Sequence, residues 1–237
     1  MKKITITQIS EKKIKAGNPL LQMEDFPNEL SFDEGELVEL VDSRQKFVAK
    51  AYSAKQNKGV GWVFSLDNAD SFNEAFFKKQ FEKAKRKRTD LQSDPETTTY
   101  RLFNAEGDGI PGVTIDHYDG FAVVSWYSEG IFRYQTAIIA AFQAVFPETK
   151  RIYEKFRYQR KDGLISRYVR GDAAPTPLIV KENSINYATY LDDGLMTGIF
   201  LDQREVRGAL TERYAAGKRV LNTFSYTGAF SVAAAMG

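Results

Sequence analysis

The sequence predicts an α/β protein of three units: an N-terminal β-barrel, a mixed α/β middle domain and the start of a doubly wound sheet. Short alternating apolar segments separated by turn residues predict the barrel in residues 1–70. Apolar residues at helical spacing from Ser71 onward indicate that the middle domain, 71–177, begins there. A strand, a tight turn and a small-residue helix are predicted near the end, within a third unit of 178–237.

Composition limits the classes of function. The 237 residues carry a net charge of +2, so the overall charge does not by itself indicate a nucleic-acid partner. The chain has no cysteine and one histidine, which excludes disulfides and thiolate metal sites and argues against any metal centre. No apolar run approaches the roughly 20 residues that span a bilayer, and the N-terminus does not resemble a signal peptide. We expect a cytoplasmic protein with no membrane partner.

The predicted barrel begins with a strand through Ile4, Ile6 and Ile9. Residues 36–42 and 47–52 alternate as two further strands, and 60–64 close the group. Lysines such as Lys55 and Lys58 fall in the turns, where they can meet phosphates or only aid solubility.

A basic amphipathic helix of about five turns is predicted from Ser71. Phe77, Phe81, Ala84 and Leu91 form its apolar stripe. The lysines on the other faces are candidate RNA contacts, and a solvated charged face is the alternative. The RNA candidates on this helix are Lys78, Lys79, Lys83 and Lys87.

The rest of the middle domain contains a hairpin, a helix and a second basic segment. Asp119 and Gly120 predict a type I′ turn, and Ser128 can cap a helix that ends before Pro147. Cations alternate with aromatic residues after position 156, a pattern that suits RNA but is also met in charged hairpins. Its RNA candidates are Arg157, Arg160 and Lys161.

Two prolines make residues 172–177 the clearest linker of the chain. A hairpin of 178–183 and 185–191 is predicted to follow it. Asp202 and Glu205 have the spacing of a capping box for a helix over 203–214.

The segment around residue 225 predicts a ligand site. Val220 and Leu221 are expected to form a strand, and the small apolar residues after Gly228 a helix. Backbone N–H groups at such a helix start can meet a polar ligand. With only one glycine, the turn lacks the dinucleotide fingerprint, so a smaller adenosine ligand fits better than a nicotinamide or flavin cofactor.

Four sequence blocks then carry a resemblance to one family. They are 106–112 (EGDGIPG), 153–164, 197–204 (TGIFLDQR) and 222–230 (NTFSYTGAF). In this order they resemble the ribosomal RNA large-subunit methyltransferase I type, a class I family that makes 5-methylcytosine. The resemblance implies a Rossmann-like catalytic domain, an N-terminal PUA-type RNA-binding domain, S-adenosylmethionine as cofactor and 23S ribosomal RNA as partner.

The resemblance also implies which residues bind the cofactor. Residues of the turn would satisfy the carboxylate, ammonium and ribose, while Gln203 and Arg204 would reach the methionyl end and Phe200 would wall the pocket. For the phenylalanines, core packing is the alternative. Methionine stands at position 196, where the family has lysine. The implied cofactor-binding residues are Phe200, Gln203, Arg204, Asn222, Thr223, Phe224, Ser225, Tyr226, Thr227 and Gly228.

No catalytic residue is assigned in this chain. Methylation of cytosine C5 needs a thiolate at C6, and the family's cysteine lies beyond the ligand turn. One strand and one helix cannot complete a doubly wound sheet, so we expect a longer parent and an inactive fragment. A purine-nitrogen methyltransferase and a noncatalytic RNA-binding or ribosome-assembly factor are the alternatives. The oligomeric state stays open, with a homodimer as one option.

Overall fold

The N-terminal unit is a five-stranded sheet with one helix packed on it. The computed structural model describes residues 1–28, 30–56, 58–170 and 173–237. Ile14 of the helix packs in one apolar cluster with Ile4 and Leu40. The sheet order is β1-β3-β4-β5-β2, and only β1 and β3 are parallel. The elements are β1 (Lys2–Thr5), α1 (Gln8–Lys15), β2 (Leu20–Leu21), β3 (Leu37–Val41), β4 (Phe47–Ser53) and β5 (Gly61–Ser65).

Two expectations for this unit were wrong. The Thr7 hydroxyl accepts the N–H of Ser10 at 3.2 Å and starts a helix, so the predicted strand through Ile9 ends at Thr5. Ile9 is 80% exposed on that helix. The sheet is also open, because β1 and β2 stand at opposite ends of its order and do not pair among the described residues. β2 has only two residues and is too short to close a barrel.

The middle unit is a mixed sheet with its two longer helices on one face. Its order is β10-β9-β8-β7-β6, in which only β8 and β9 are parallel. Its elements are α2 (Glu74–Lys87), α3 (Thr89–Ser93), β6 (Thr99–Asn104), α4 (Ala105–Asp108), β7 (Val113–Tyr118), β8 (Phe121–Trp126), α5 (Glu129–Phe132), α6 (Gln135–Val145), β9 (Arg151–Phe156) and β10 (Ser166–Arg170).

The predicted basic helix exists but is shorter. Asn73 caps α2 by accepting the N–H of Phe76 at 3.1 Å, so the helix starts after Ser71. The helix ends at Lys87, and Leu91 lies in the separate helix α3. Its buried face is the predicted one, since Phe77, Phe81 and Ala84 are fully buried.

Two local predictions in the middle unit are confirmed. Asp119 and Gly120 join β7 to β8 with φ of 46° and 87°, the left-handed pair that a type I′ turn requires. The Ser128 hydroxyl accepts the N–H of Ile131 at 3.3 Å and caps α5. The predicted single helix is divided, however, because the chain leaves helical geometry before α6.

The middle sheet is buried on both faces. Val124 and Trp126 of β8 face α2 and α6 in the larger apolar cluster, whereas Phe121 and Val123 of the same strand face the opposite side. There they pack against the third part of the chain, including Val180. This two-sided burial joins the middle unit to the C-terminal residues.

The N-terminal unit shares the first of these cores. Tyr52 is fully buried in it and donates its hydroxyl to the carbonyl of Pro111 at 2.9 Å. The Tyr134 hydroxyl donates to the carbonyl of Gly35 at 2.6 Å. A Cβ at Gly130 would lie 2.3 Å from the Ser53 carbonyl oxygen, so only glycine allows this approach of the two backbones.

The C-terminal part is a hairpin followed by helical segments. The hairpin pairs β11 (Leu178–Glu182) with β12 (Ile185–Thr189). The predicted linker begins at Asp172, which lies outside the described residues, and its prolines precede β11. The helical segments are a 3-10 turn (Leu201–Gln203), α7 (Arg204–Ala209), a π-helical turn (Leu210–Tyr214) and α8 (Ala229–Met236).

Two expectations for this part were wrong. Residues 220–221 do not form a strand, and Leu221 is 87% exposed. Among the described residues no strand lies beside them to supply backbone partners. The capping box is also absent, since Gln203 occupies the cap position of α7 without a side-chain hydrogen bond and Glu205 pairs with Arg204.

We predict that Phe81→Ala lowers the free energy of unfolding by about 3–5 kcal/mol, because the ring is fully buried against Phe103 and Phe142 and its loss leaves a cavity. Urea unfolding measures the change. Leu66→Ala is the matched control, since this side chain is 53% exposed and its truncation should cost no more than about 0.5 kcal/mol. Equal losses in the two variants would contradict the described core.

The stability should depend on pH through His117. Burial, with a smaller effect of Lys150, lowers the pKa of His117 to about 4, and neutral Nε2 accepts the N–H of Gly120 at 3.2 Å. The unfolded chain binds this proton near pH 6.5. Stability from this group is therefore present above pH 6.5 and is lost as the pH falls towards 4, by about 2 kcal/mol between pH 8 and pH 5.

Urea unfolding at both pH values, compared with His117→Gln, isolates this contribution from those of the carboxylates. The variant should lose less stability on acidification. Parallel pH profiles of the two proteins would refute a depressed histidine pKa.

Candidate cofactor site

The turn between residues 222 and 228 holds its backbone in an unusual conformation. Phe224, Tyr226 and Gly228 have φ of 57°, 51° and 84°. Bulky aromatic residues rarely occupy this left-handed region, and such strain concentrates at ligand and active sites. Helix α8 begins directly after Gly228, so its first N–H groups lie next to the turn.

The turn is joined to the upstream block that carries Phe200. The Thr227 hydroxyl donates to the carbonyl of Gly198 at 2.6 Å, and the N–H of Gly198 donates to the Tyr226 hydroxyl at 3.1 Å. The rings of Phe200 and Tyr226 lie 5.3 Å apart. Gly198 has φ of 101°, and a Cβ there would approach the Ala188 carbonyl to 3.0 Å. Two segments separated by more than twenty residues thus form one site.

A cavity of about 230 Å³ lies where these segments meet. Arg204 and Gly228 do not line it. The guanidinium of Arg204 pairs with Glu205, and Gly228 caps α8 with its backbone. The predicted residues that do line it are Phe200, Gln203, Asn222, Thr223, Phe224, Ser225, Tyr226 and Thr227.

Four further lining residues were not predicted: Ile199, Arg207, Ala229 and Phe230. For Phe230 the sequence favoured core packing, and its ring is only half-buried below the guanidinium of Arg207, 5.5 Å from its centroid. No sequence signal marked Arg207, because its partner Glu182 lies 25 residues upstream.

Arg207 and Glu182 form a buried ion pair beneath the cavity. The guanidinium donates Nε to Oε1 at 2.7 Å and Nη2 to Oε2 at 2.8 Å, while the side chains are 2% and 1% exposed. Nη2 also donates to the carbonyl of Phe200 at 2.8 Å. This fork fixes α7 and the Phe200 backbone on strand β11.

Two cations of the middle unit hold the loop that precedes the site. Lys155 is fully buried and donates Nζ to the Gly194 carbonyl at 2.5 Å. Burial, helped by Arg157, lowers the pKa of Lys155 to about 8. Arg157 donates Nη2 to the Leu195 carbonyl at 2.8 Å, and its Nη1 lies 3.8 Å from the Met196 sulfur. The loop is thereby fixed to the end of β9.

The predicted RNA residues fall into engaged and free groups. On α2, Lys79 lies 3.7 Å from Asp70 and Lys87 lies 2.9 Å from Asp108, whereas Lys78 and Lys83 are exposed without a carboxylate partner among the described residues.

In the second basic segment, Arg160 pairs with both oxygens of Asp162 and lies over the Phe156 ring, 4.4 Å from its centroid. Arg157 holds the loop just described. Lys161 is exposed and has no such partner in the part of the chain that the structure describes.

Two segments of the chain match the models of known families. Residues 4–66 match the model of the PUA-like domain, and residues 132–237 match that of the S-adenosylmethionine-dependent methyltransferase. The chain is thus similar to PUA-like domains near its start and to S-adenosylmethionine-dependent methyltransferases over its second half. These matches confirm the expected fold class, and S-adenosylmethionine is confirmed as the cofactor of the matching family.

Two curated relatives resemble the chain over most of its length. It is 45% identical to a protein of Bacillus subtilis (strain 168) named "Putative ribosomal RNA large subunit methyltransferase YwbD", covering 100% of the chain and 61% of that relative. It is 38% identical to "Ribosomal RNA large subunit methyltransferase I" of Escherichia coli O157:H7, covering 86% of the chain and 52% of that relative. The chain thus spans little more than half the length of these relatives.

Two solved structures share the fold. One is described as a "putative sam-dependent methyltransferase from Streptococcus mutans", and the other as SMU.776, "a putative methyltransferase complexed with SAH". Each has a TM-score of 0.92 and 46% identity over 100% of the chain, which covers 61% and 60% of the solved chains.

The cavity has the chemistry that S-adenosylmethionine requires. N–H groups at the start of α8 suit its carboxylate, side-chain oxygens of Asn222, Thr223 and Ser225 suit its ammonium and ribose, and Phe200 offers an apolar wall. Its volume is below the roughly 300–1,000 Å³ of complete ligand pockets. The described residues therefore form a cavity that is smaller than a typical complete ligand pocket.

None of the described helices is long and apolar enough to cross a bilayer. Within the described ranges no group of three His, Cys, Asp or Glu side chains is placed to hold a metal ion.

We predict that Arg207→Met destabilises the chain by about 3–5 kcal/mol, because it leaves the Glu182 carboxylate buried without its partner. The double variant Glu182→Leu with Arg207→Met should recover most of this loss. Lys181→Ala is the matched control, since its pair with Glu96 is 40% and 50% exposed and is worth at most about 1 kcal/mol. Denaturant unfolding measures all three.

A double variant as unstable as the single one would show that the bond to the Phe200 carbonyl, and not the ion pair, carries the stability.

Proposed function

We propose that the protein containing this chain uses S-adenosylmethionine to methylate RNA of the large ribosomal subunit. The observation that supports this most directly is the cavity in which eight residues expected from the sequence come together, inside the region that matches the methyltransferase model. The names of the two curated relatives support RNA of the large subunit as the substrate. The expected cytoplasmic location is part of the same proposal.

In this proposal the ten predicted cofactor residues act in two ways. Those that line the cavity touch the cofactor, with the turn hydroxyls and the Asn222 amide on its polar groups and Phe200 on its apolar surface. Arg204 and Gly228 act indirectly. Arg204 pairs with Glu205 at the start of α7, and Gly228 is the N-cap residue of α8. The bound cofactor supplies an electrophilic methyl group on a sulfonium.

The basic residues are proposed as RNA contacts to different degrees. Within the described part of the chain, Lys78, Lys83 and Lys161 have no carboxylate to leave before they meet a phosphate, although Lys83 donates to the Gln80 side chain at 3.3 Å. Lys79, Lys87 and Arg160 must first leave a carboxylate. The division into units of 1–70, 71–177 and 178–237 is proposed to follow function: RNA binding, substrate positioning and cofactor binding.

Cytosine C5 is the proposed target atom. The four sequence blocks that resemble the 5-methylcytosine family support it. The reaction needs a thiolate to attack C6 and a base to remove the C5 proton. This chain contains no cysteine, so none of its residues supplies the thiolate.

A purine nitrogen is the second candidate target. It needs no thiol, because the ring nitrogen or amino group attacks the methyl group directly, and the absence of cysteine from this chain is compatible with it. The site of the methyl group on the product RNA distinguishes the two targets.

We predict saturable binding of S-adenosylhomocysteine to the full-length protein in calorimetry. Tyr226→Ala should weaken binding about tenfold, or by about 1.4 kcal/mol, because it removes a lining ring and the bond to Gly198. Tyr214→Ala is the control, as this tyrosine is 66% exposed and lies outside the cavity. Failure of the unmodified protein to bind would favour a noncatalytic RNA-binding or assembly factor.

A further inference from the structure

A second and larger cavity lies between the N-terminal and middle units. Its volume is about 1,100 Å³. The loop after β4 forms one wall, and the residues after β8 and β9 form the other. We call it the basic cleft, after the six cationic residues that line it: Lys55, Lys58, Arg133, Arg157, Arg160 and Lys161.

The cleft concentrates positive charge. Six cationic and three carboxylate side chains line it, a surplus of three, whereas the whole chain has a net charge of only +2. The remaining surface is therefore slightly acidic. Such a local excess in a concave site attracts polyanions.

The three carboxylates already have partners inside the protein. Glu129 accepts the Tyr158 hydroxyl at 2.9 Å, and Asp162 is paired with Arg160. Glu34 accepts the N–H of Lys55 at 2.9 Å through Oε1. The cations differ: the side chains of Lys55, Lys58, Arg133 and Lys161 have neither a hydrogen bond nor a carboxylate partner among the described residues, and all four are exposed.

Two buried polar atoms of the cleft residues are also unsatisfied. Oε2 of Glu34 and Nε2 of Gln56 have no hydrogen-bond partner among the described residues. One is an acceptor and the other a donor, and both are shielded from solvent in this structure. Tyr127, which is 39% exposed, adds an aromatic face on which a base can stack.

The cleft leads towards the cofactor cavity. Arg157 lines the cleft and also a small cavity of about 70 Å³, which Phe200 lines as well. Phe200 in turn lines the cofactor cavity. Three cavities thus share walls in a row, from the PUA-like domain to the turn at 222–228.

We propose that a single strand of RNA lies in the basic cleft, with its phosphates on Lys55, Lys58, Arg133 and Lys161, and runs past Arg157 to the methylation site. The cleft is close in volume to one large ligand pocket, so it takes a few nucleotides of a strand and not a duplex. The assignment rests on the proposed function and adds the RNA path to it. Arg160 is then a positioning residue, which holds the segment that carries Lys161.

The test removes three cations from the full-length protein by Lys55→Ala, Lys58→Ala and Lys161→Ala. Binding of a fluorescein-labelled 20-nucleotide oligouridylate is followed by anisotropy between 50 and 300 mM salt. The affinity at 50 mM should fall about tenfold or more. The slope of log K against log salt should become shallower by about 2, because fewer counterions are released from the RNA when fewer phosphates are contacted. The melting temperature confirms that the variant is folded.

The matched control removes the same charge elsewhere in the PUA-like domain, by Lys2→Ala, Lys12→Ala and Lys46→Ala, which are all exposed. Its affinity and salt slope should stay close to those of the unmodified protein. Equal losses in both variants would overturn the proposal, since net charge alone would then explain them. An unchanged cleft variant, or one that loses affinity for polyglutamate as much as for RNA, would overturn it too.

Calorimetry with S-adenosylhomocysteine separates this proposal from the proposed function. The cleft variant should bind it as the unmodified protein does. Retained cofactor binding together with unchanged RNA affinity refutes the cleft alone, whereas loss of cofactor binding in the unmodified protein refutes the enzyme assignment.

Discussion

Burial of the middle sheet on both faces is the constraint on which the rest of the structure depends. Alternate residues of β8 serve different cores: Trp126 packs against Phe132 in the core that α2 and α6 also line, and Val123 lies in the core of the C-terminal hairpin. Since the central strands are covered on both faces, the sheet holds the N-terminal unit on one side and, on the other, helix α8 with the turn at 222–228 before it. Lys155 at the end of β9 and Arg157 directly after it also hold the C-terminal part, because each donates to a carbonyl of the loop that precedes the site.

The turn at 222–228 is positioned by side-chain hydrogen bonds and not by a sheet. Thr227 and Tyr226 bond both backbone groups of Gly198, and Arg207 reaches from α7 to the Phe200 carbonyl. Burial of the Glu182–Arg207 pair requires excellent geometry, since an unmatched charge there costs several kcal/mol. A few hydrogen bonds and one ion pair therefore fix the geometry of the site, next to the apolar cluster of the C-terminal part.

The sequence predicted most strongly where local chemistry decides structure. The Asp119–Gly120 turn follows from neighbouring residues alone and is confirmed. The Ser128 cap and the apolar stripe of α2 are confirmed in part, since Ser128 caps only the short helix α5 and Leu91 lies outside α2. The Thr7 hydroxyl is a local signal of the same kind, since it starts helix α1 where the predicted strand would continue. The expected barrel did not close because closure depends on pairing between distant strands, which periodicity does not encode.

For the site, motif resemblance located the turn and the Phe200 block but not their mutual contacts. Arg207 and Glu182 come from different elements, so no spacing rule connects them. The strand expected at 220–221 shows that an apolar pattern alone is not sufficient for a strand. Its residues have the right pattern, but no neighbouring strand lies beside them among the described residues. Arg204 shows that a matching motif position need not line the cavity, because its guanidinium pairs with the adjacent Glu205.

The close approach of Gly130 to Ser53 has a consequence for anything that enters between the two units. With no room for even a methyl group, the walls cannot rotate past each other without breaking a shared core that includes Tyr52. The distance between the two walls is therefore fixed, and the conformational entropy lost on binding is mainly that of the incoming polymer and not that of the protein. A flexible strand can adapt its shape to such an opening at this entropic cost, whereas a stiff ligand can enter only if its shape already fits.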